Sequence, residues 1–207
     1  MKIIAHRGFW KSQREKNTFV AFERALKNGY GIETDIRDNN GELVISHDIP
    51  TGDELGLTEF LEYFNHLWTK ETILAINIKS DGLAKNVKQV FEPYPHCQYF
   101  VFDMSFPDSF SYLNQQIPVF MRESEYEPFV SLLGDVSGVW LDQFTETWFD
   151  PTHIRVHLEE DRKLCVVSPE LHGREPDNLW HTLKMFKNWD NFMICTDIPE
   201  TLSRIYA

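Results

Sequence analysis

Eight short apolar runs punctuate this chain: Ile3-Ile4-Ala5, Ile32 to Ile36, Leu74 to Ile78, Phe100 to Met104, Val119-Phe120-Met121, Val139-Trp140-Leu141, Leu164 to Val167, and Phe192 to Cys195. Most are rich in β-branched residues, and each has the length of a strand. Between most of them lie segments of helical spacing. Phe19, Phe22 and Leu26 repeat at helical intervals, as do Leu57, Phe60, Leu61, Phe64 and Trp68. Further helices are expected around residues 83–92, 108–115, 125–133, 176–187 and 199–206. Alternation of strand with helix points to a parallel α/β architecture, and eight units predict a TIM (β/α)8 barrel, with a doubly wound open sheet as the alternative. A ninth run, Leu43-Val44-Ile45, follows the turn-forming Asp38-Asn39-Asn40-Gly41 and is expected to extend the second unit as a hairpin. No low-complexity linker divides the chain, so residues 1–207 are expected to form one domain.

Chemistry in such barrels sits at the C-terminal ends of the strands. The residues found there are polar almost throughout, and include His6, Arg7, Glu33, Asp35, His47, Asn77, Lys79, Arg122, Glu170, His172 and Asp197. Glu33 and Asp35 stand two apart on one strand, so both side chains face the same side. Two such carboxylates repel unless a cation lies between them, and oxygen ligands suit Mg²⁺ or Ca²⁺, although a solvated polar strand face would read the same way. His6 and His47 each follow an apolar strand and each has a charged neighbour, Arg7 or Asp48. A guanidinium can bind two phosphate oxygens, and a carboxylate can fix the tautomer of an imidazole. His66, His96, His153, His157 and His181 lack any motif context of this kind.

A net charge of −12 argues against a polyanionic partner such as nucleic acid, but leaves room for a small phosphate ester in a locally cationic pocket. Cys97, Cys165 and Cys195 are widely separated and read as buried free thiols. Trp140, Trp148, Trp180 and Trp189 are expected to pack between barrel and helices. The apolar run before His6-Arg7 is too short for a signal-peptide core, and nothing later is long enough for a membrane span, so a cytoplasmic protein without membrane insertion is expected.

Taken in order, His6-Arg7-Gly8, Asn17-Thr18, Ala21-Phe22, Gly29, Glu33-x-Asp35, Asn40-Gly41 and His47-Asp48 resemble the glycerophosphodiester phosphodiesterase family. The likeness is dense in IAHRG…NTFVAFERALKNGYGIETDIRDNNGELVISHD and returns more weakly in LAINIK and ICTDIPE. The resemblance implies a TIM barrel that hydrolyses a phosphodiester with the help of a divalent metal. Carried over residue by residue, it makes His6 and His47 the acid-base pair, Arg7 and Lys79 substrate contacts, and Glu33 and Asp35 metal ligands.

The chain departs from the family pattern in three places. Asn77-Ile78-Lys79 stands where the family has Glu-Ile-Lys, so Asn77 offers a carbonyl oxygen in place of a third acidic ligand. Lys16 replaces the glutamate that the family carries before Asn-Thr, and the stretch from His47 to Asn77 leaves little room for the family's small insertion domain. Beyond the seventh strand, VVSPELHGR supplies Glu170 and His172 as further substrate-binding candidates, with Arg122 after the fifth strand. The expected activity is metal-dependent hydrolysis of a small, soluble phosphodiester. Two alternatives remain at this stage: a barrel that binds a phosphorylated ligand without turning it over, and a phosphodiesterase that forms a cyclic phosphate.

Overall fold

Every one of the eight runs is a strand, and the hairpin extension forms as well. In the computed structural model, which describes residues 1–69, 71–127 and 134–207, the strands are β1 (Lys2–His6), β2 (Gly31–Asn39), β3 (Glu42–Ile45), β4 (Ile73–Ile78), β5 (Gln98–Phe102), β6 (Phe120–Glu123), β7 (Gly138–Leu141), β8 (Lys163–Val167) and β9 (Phe192–Thr196). All but β3 run parallel in the order β5-β4-β2-β1-β9-β8-β7-β6. The seam between β5 and β6 is joined by one bridge, Val101 to Val119, with Val101 N–H donating to Pro118 O at 2.9 Å. The sheet is therefore a nearly closed eight-stranded barrel. β3 pairs antiparallel with the outer part of β2, and Asn40 and Gly41 make the tight turn with positive φ of 52° and 88°.

Helices fill the connections: α1 (Phe19–Lys27), α2 (Leu57–Phe64), α3 (Ala84–Phe91), α4 (Phe106–Asn114), α5 (Pro151–Glu159), α6 (Asp177–Leu183) and α7 (Pro199–Tyr206). No helix among the described residues is long and apolar enough to cross a membrane. Of the helix expected over 125–133, residues 125–127 instead lie in a turn closed by Ser124 and Glu127, and 128–133 lie outside the described residues. Helix α5 has no counterpart in the sequence reading. Its inner face is Ile154, His157 and Leu158, so an imidazole interrupts the apolar period. Its start was nonetheless written in the chain, because the Asp150 side chain accepts from Thr152 N and His153 N while Pro151 sits in the first turn.

Alternation along the strands sorts two layers. One set, including Ile4, Ala75, Phe100, Phe102, Phe120, Trp140, Cys165, Val167 and Cys195, packs together inside the barrel, while the neighbouring strand residues meet the helices. Trp140 thus belongs to the barrel interior, which corrects its expected place against the helices. Val139 and Leu141 on either side take the outward positions. Trp148, Trp180 and Trp189 pack in the outer layer as expected. All three cysteines are buried and free.

Stacked aromatic rings reinforce the weak seam. Phe100 of β5 lies face to face with Phe120 of β6 at 3.7 Å, and Phe102 lies against Trp140 of β7 at 3.9 Å. The Phe120 ring has room because residue 138 lacks a side chain. A Cβ on Gly138 would stand 2.6 Å from that ring and 2.5 Å from the Lys163 carbonyl oxygen. We expect Gly138→Ala to destabilise the fold by about 1–3 kcal/mol or more in urea titration, the usual scale of overpacking. Wild-type stability in that variant would show that the seam tolerates a shifted ring.

Candidate active site

The strand register brings the first candidates together. His6, the last residue of β1, lies beside Glu33, and Asp35 lies beside Asn77 of β4. Glu33 and Asp35 are each only 1% exposed. Arg7 turns away from β1 in the left-handed region at φ 55°, donates its backbone N–H to Glu33 Oε2 at 3.1 Å, and sets its Nε 3.0 Å from Asp35 Oδ2. Gly8 follows at φ 83°, where a Cβ would meet the backbone of Ala21 at 2.9 Å, so the turn packs directly on α1.

Asp35 is the most heavily engaged group of the site. Besides Arg7, Asn17 Nδ2 donates to its Oδ2 at 2.9 Å, and Lys79 Nζ stands 3.3 Å from its Oδ1. Burial pushes its carboxyl up, but Arg7, Lys79 and the Asn17 amide outweigh burial and hold it below the usual aspartate range. Glu33 goes the other way. Its burial, followed by the charge of Asp35, raises it to about 7. Two carboxylates on one strand are thereby driven to opposite protonation preferences.

His6 Nδ1 donates to Asp197 Oδ1 at 2.6 Å, and its Nε2 lies 3.8 Å from Glu33 Oε2. An ionised carboxylate only accepts, so the proton of the neutral ring sits on Nδ1 and the Nε2 lone pair is free. Burial raises the Asp197 carboxyl, yet the His6 hydrogen bond and charge, with Lys16 at 3.8 Å, hold it below its usual range. Asp197 in turn is positioned by Glu170, which accepts from Asp197 N at 3.1 Å and from the hydroxyls of Thr196 and Ser168.

His47 lies just past β3, about half exposed, with its Nδ1 2.9 Å from Asp48 Oδ1. Together with Arg7, Lys16 and Phe19 it lines a hollow of about 730 Å³ whose outer wall is acidic, with Asp53, Glu54 and Glu59. No hydrogen bond or ion pair joins His47 to His6 among the described residues. Arg122 and His172 lie farther round the mouth, whereas Glu170 adjoins the cluster through Asp197. Arg122 forks onto Glu127 at 2.5 and 2.9 Å and reaches Asp103 at 3.1 Å. His172 Nε2 pairs with Asp142 at 2.8 Å. The sequence candidates therefore form one tight cluster of His6, Arg7, Glu33, Asp35, Asn77 and Lys79, with His47 at its rim, Glu170 adjoining it through Asp197, and Arg122 and His172 across the barrel.

Sequence reasoning left two members of the cluster without a role. Asn17, in the quoted Asn-Thr pair, receives Thr34 Oγ1 at 2.9 Å while donating to Asp35. Asp197, in the Thr-Asp-x-Pro end of β9, fixes His6. A divalent cation fits the oxygens present: Asp35 Oδ1 and Asn77 Oδ1 are buried on paired residues, and neither receives a hydrogen bond.

Comparison of the whole structure with solved ones places this geometry. The chain superposes on a Galdieria sulphuraria protein proposed to be a glycerophosphodiester phosphodiesterase, with a TM-score of 0.77 at 16% identity, over 99% of this chain and 97% of that one. The two share the TIM-barrel fold. An Agrobacterium tumefaciens glycerophosphodiester phosphodiesterase gives a TM-score of 0.70 at 18% identity, covering 99% of both chains. An Oleispira antarctica phosphodiesterase in complex with its product sn-glycerol-3-phosphate gives 0.71 at 16% identity, over 99% of this chain and 96% of that one. No family model matches the sequence, and a search of curated proteins finds no match.

The raised Glu33 has a consequence for stability. Its folded value of about 7 exceeds the ordinary 4.5, so the unfolded chain holds the ionised form more readily. The stability it contributes is complete below the unfolded value and is lost as pH rises through about 7. In buffer with chelator, we expect Glu33→Gln to stabilise the protein by on the order of 1–3 kcal/mol at about pH 8 and by much less at about pH 5. An equal effect at both pH values in urea titration would refute the assignment of a neutral Glu33.

Proposed function

We propose that residues 1–207 act as one catalytic domain that hydrolyses a small phosphodiester related to glycerophosphodiesters at the C-terminal mouth of the barrel. The observation that carries this reading is the Asp197-bound His6 beside the Glu33 and Asp35 carboxylates, with Arg7, Lys16 and Lys79 crowded around them. The shared fold supports it, as does the product held by the Oleispira antarctica relative.

A phosphodiester is an anion whose cleavage needs a deprotonated nucleophile, a protonated leaving oxygen, and cover for the charge between them. His6 Nε2, with its partner nitrogen tied to Asp197, accepts the proton of the attacking water. His47, half-exposed at the rim, returns a proton to the departing alkoxide. The water oxygen joins phosphorus as the ester bond breaks, leaving a phosphate monoester and an alcohol. Arg7 and Lys79 hold the non-bridging oxygens. Glu33, Asp35 and Asn77 would hold Mg²⁺ or Ca²⁺, which when bound adds positive charge at those oxygens. Arg122 and His172 face the alcohol side of the substrate, and Glu170 acts through Asp197 as a positioning residue.

A second reading, a barrel that binds a phosphorylated ligand without turnover, draws on Asn77 and on the pairing of Asp35 with two cations. A screen of phosphodiesters with Mg²⁺, Ca²⁺ and Mn²⁺ separates the two. We expect turnover with at least one metal, reduced on the order of 100-fold or more in His6→Ala and in His47→Ala. Unchanged turnover in either folded variant removes that histidine from the mechanism. Calorimetric binding of glycerol phosphate with no cleavage under any metal would favour the second reading.

A further inference from the structure

On the outer side of the barrel wall, behind the strand ends that form the mouth, three ligating side chains converge. Glu123 is the last residue of β6, and because neighbouring strand residues point to opposite faces, it turns outward where Arg122 turns to the mouth. Facing it are His153 and His157, one turn apart on α5 and so on the same side of the helix. His157 Nε2 lies 3.0 Å from Glu123 Oε2, and His153 Nε2 lies 3.3 Å from Glu123 Oε1. Among the described residues this is the one group of three or more His, Cys, Asp or Glu whose ligand atoms all lie within 4.8 Å of one another.

We propose that Glu123, His153 and His157 form a metal site for a zinc-type dication, separate from the cluster at the barrel mouth. The donor set is two imidazole nitrogens and one carboxylate, which suits Zn²⁺ and its transition-metal neighbours and not Mg²⁺ or Ca²⁺. A tetrahedral Zn²⁺ with arms of about 2.0–2.1 Å holds its ligand atoms roughly 3.3–3.4 Å apart. Each nitrogen is already near that distance from one oxygen of Glu123, and one ligand atom from each of the three residues lies within 4.8 Å of the others, so a small closure completes three corners. His153 Nε2 is buried 3.3 Å from Glu123 Oε1 without a well-formed hydrogen bond, so its neutral ring can turn a lone pair to a cation shared with that carboxylate. Burial raises the Glu123 carboxyl, but the imidazoles beside it prevail and hold it at about 2, so it is an anionic ligand at neutral pH. His153 also borders a surface hollow of about 570 Å³ with Trp148 and Asp150, a route by which an ion and water would reach the site.

The shell around the ligands is partly built. The Trp148 ring meets the His153 ring edge-on at 5.0 Å and limits its rotation. Without metal, Arg162 Nη1 stands 3.3 Å from His157 Nδ1 and favours the tautomer with its proton on Nε2. Metal at Nε2 requires the opposite tautomer, so loading moves the Arg162 guanidinium, which already pairs with the half-exposed carboxylate of Glu160. The bound ion would clamp α5 to the end of β6 and so fix the strand that carries Arg122.

The test uses the full chain stripped with chelator and then titrated with ZnCl₂ by calorimetry and with CoCl₂ by visible absorption. With Mg²⁺ in excess to occupy the barrel mouth, we expect one equivalent of the transition metal bound and the intense visible bands of four-coordinate Co²⁺. Affinity should fall at least tenfold in His153→Ala, a partly exposed position, and in His157→Ala, with folding checked by circular dichroism. It should be unchanged in Glu33→Gln, which alters the barrel mouth. Absence of Co²⁺ bands in the wild-type protein overturns the proposal whatever the variants do. So does full Zn²⁺ affinity in His153→Ala, or its loss in Glu33→Gln.

Discussion

The buried charge of Asp35 is the constraint on which the mouth of the barrel depends. A carboxylate removed from water is tolerated only when other groups replace its solvation. Here Arg7 comes from the turn after β1, Asn17 from the entry to α1, and Lys79 from just beyond β4. One side chain thus draws three separate segments to a point. The backbone follows: Asn17 N–H donates to Arg7 O at 3.0 Å, and Lys79 N–H donates to Ile36 O at 3.0 Å. Because Arg7 is anchored on one side, His6 is aimed on the other, and Asp197 then needs only to choose its tautomer.

The same cluster reconciles an acidic protein with an anionic ligand. The overall charge of −12 is spread over the surface, whereas Arg7, Lys16 and Lys79 gather at the mouth. Their partners there do not all count equally. Glu33, raised to about 7, is only partly ionised near neutral pH while Asp35 and Asp197 stay ionised, so the local balance is less negative than a count of acidic residues suggests. Asn77, uncharged beside Asp35, adds nothing to the negative side of that balance.

Most of the architecture was legible because parallel strands buried on both faces must be apolar runs, and nothing else in the chain imitates them. The Asn40-Gly41 hairpin was legible for the local reason that its turn demands positive φ. What escaped did so for identifiable reasons. Helix α5 was hidden because His157 occupies one of its core positions, and the partners that make an imidazole acceptable there, Glu123 and Arg162, are remote in sequence. Trp140 was assigned to the wrong layer because a short apolar run carries no mark of which alternate residue faces in. At the site, His6, Arg7, Glu33, Asp35, Lys79 and Asp197 could be named from strand ends alone. Asn17 could be seen only as a motif member and Asp197 had no role assigned, since their work consists of hydrogen bonds to residues on other units.

The aromatic stacking at the β5–β6 seam reaches beyond stability. Phe100, Phe102, Phe120 and Trp140 fill the interior directly beneath the polar residues that cap their strands, with Asp103 following Phe102 and Asp142 lying two residues past Trp140. The barrel is consequently a shallow cup with a solid floor and not a conduit. Whatever enters the mouth departs by the same doorway, so traffic in and out must take turns, and the loops around that rim govern both directions at once.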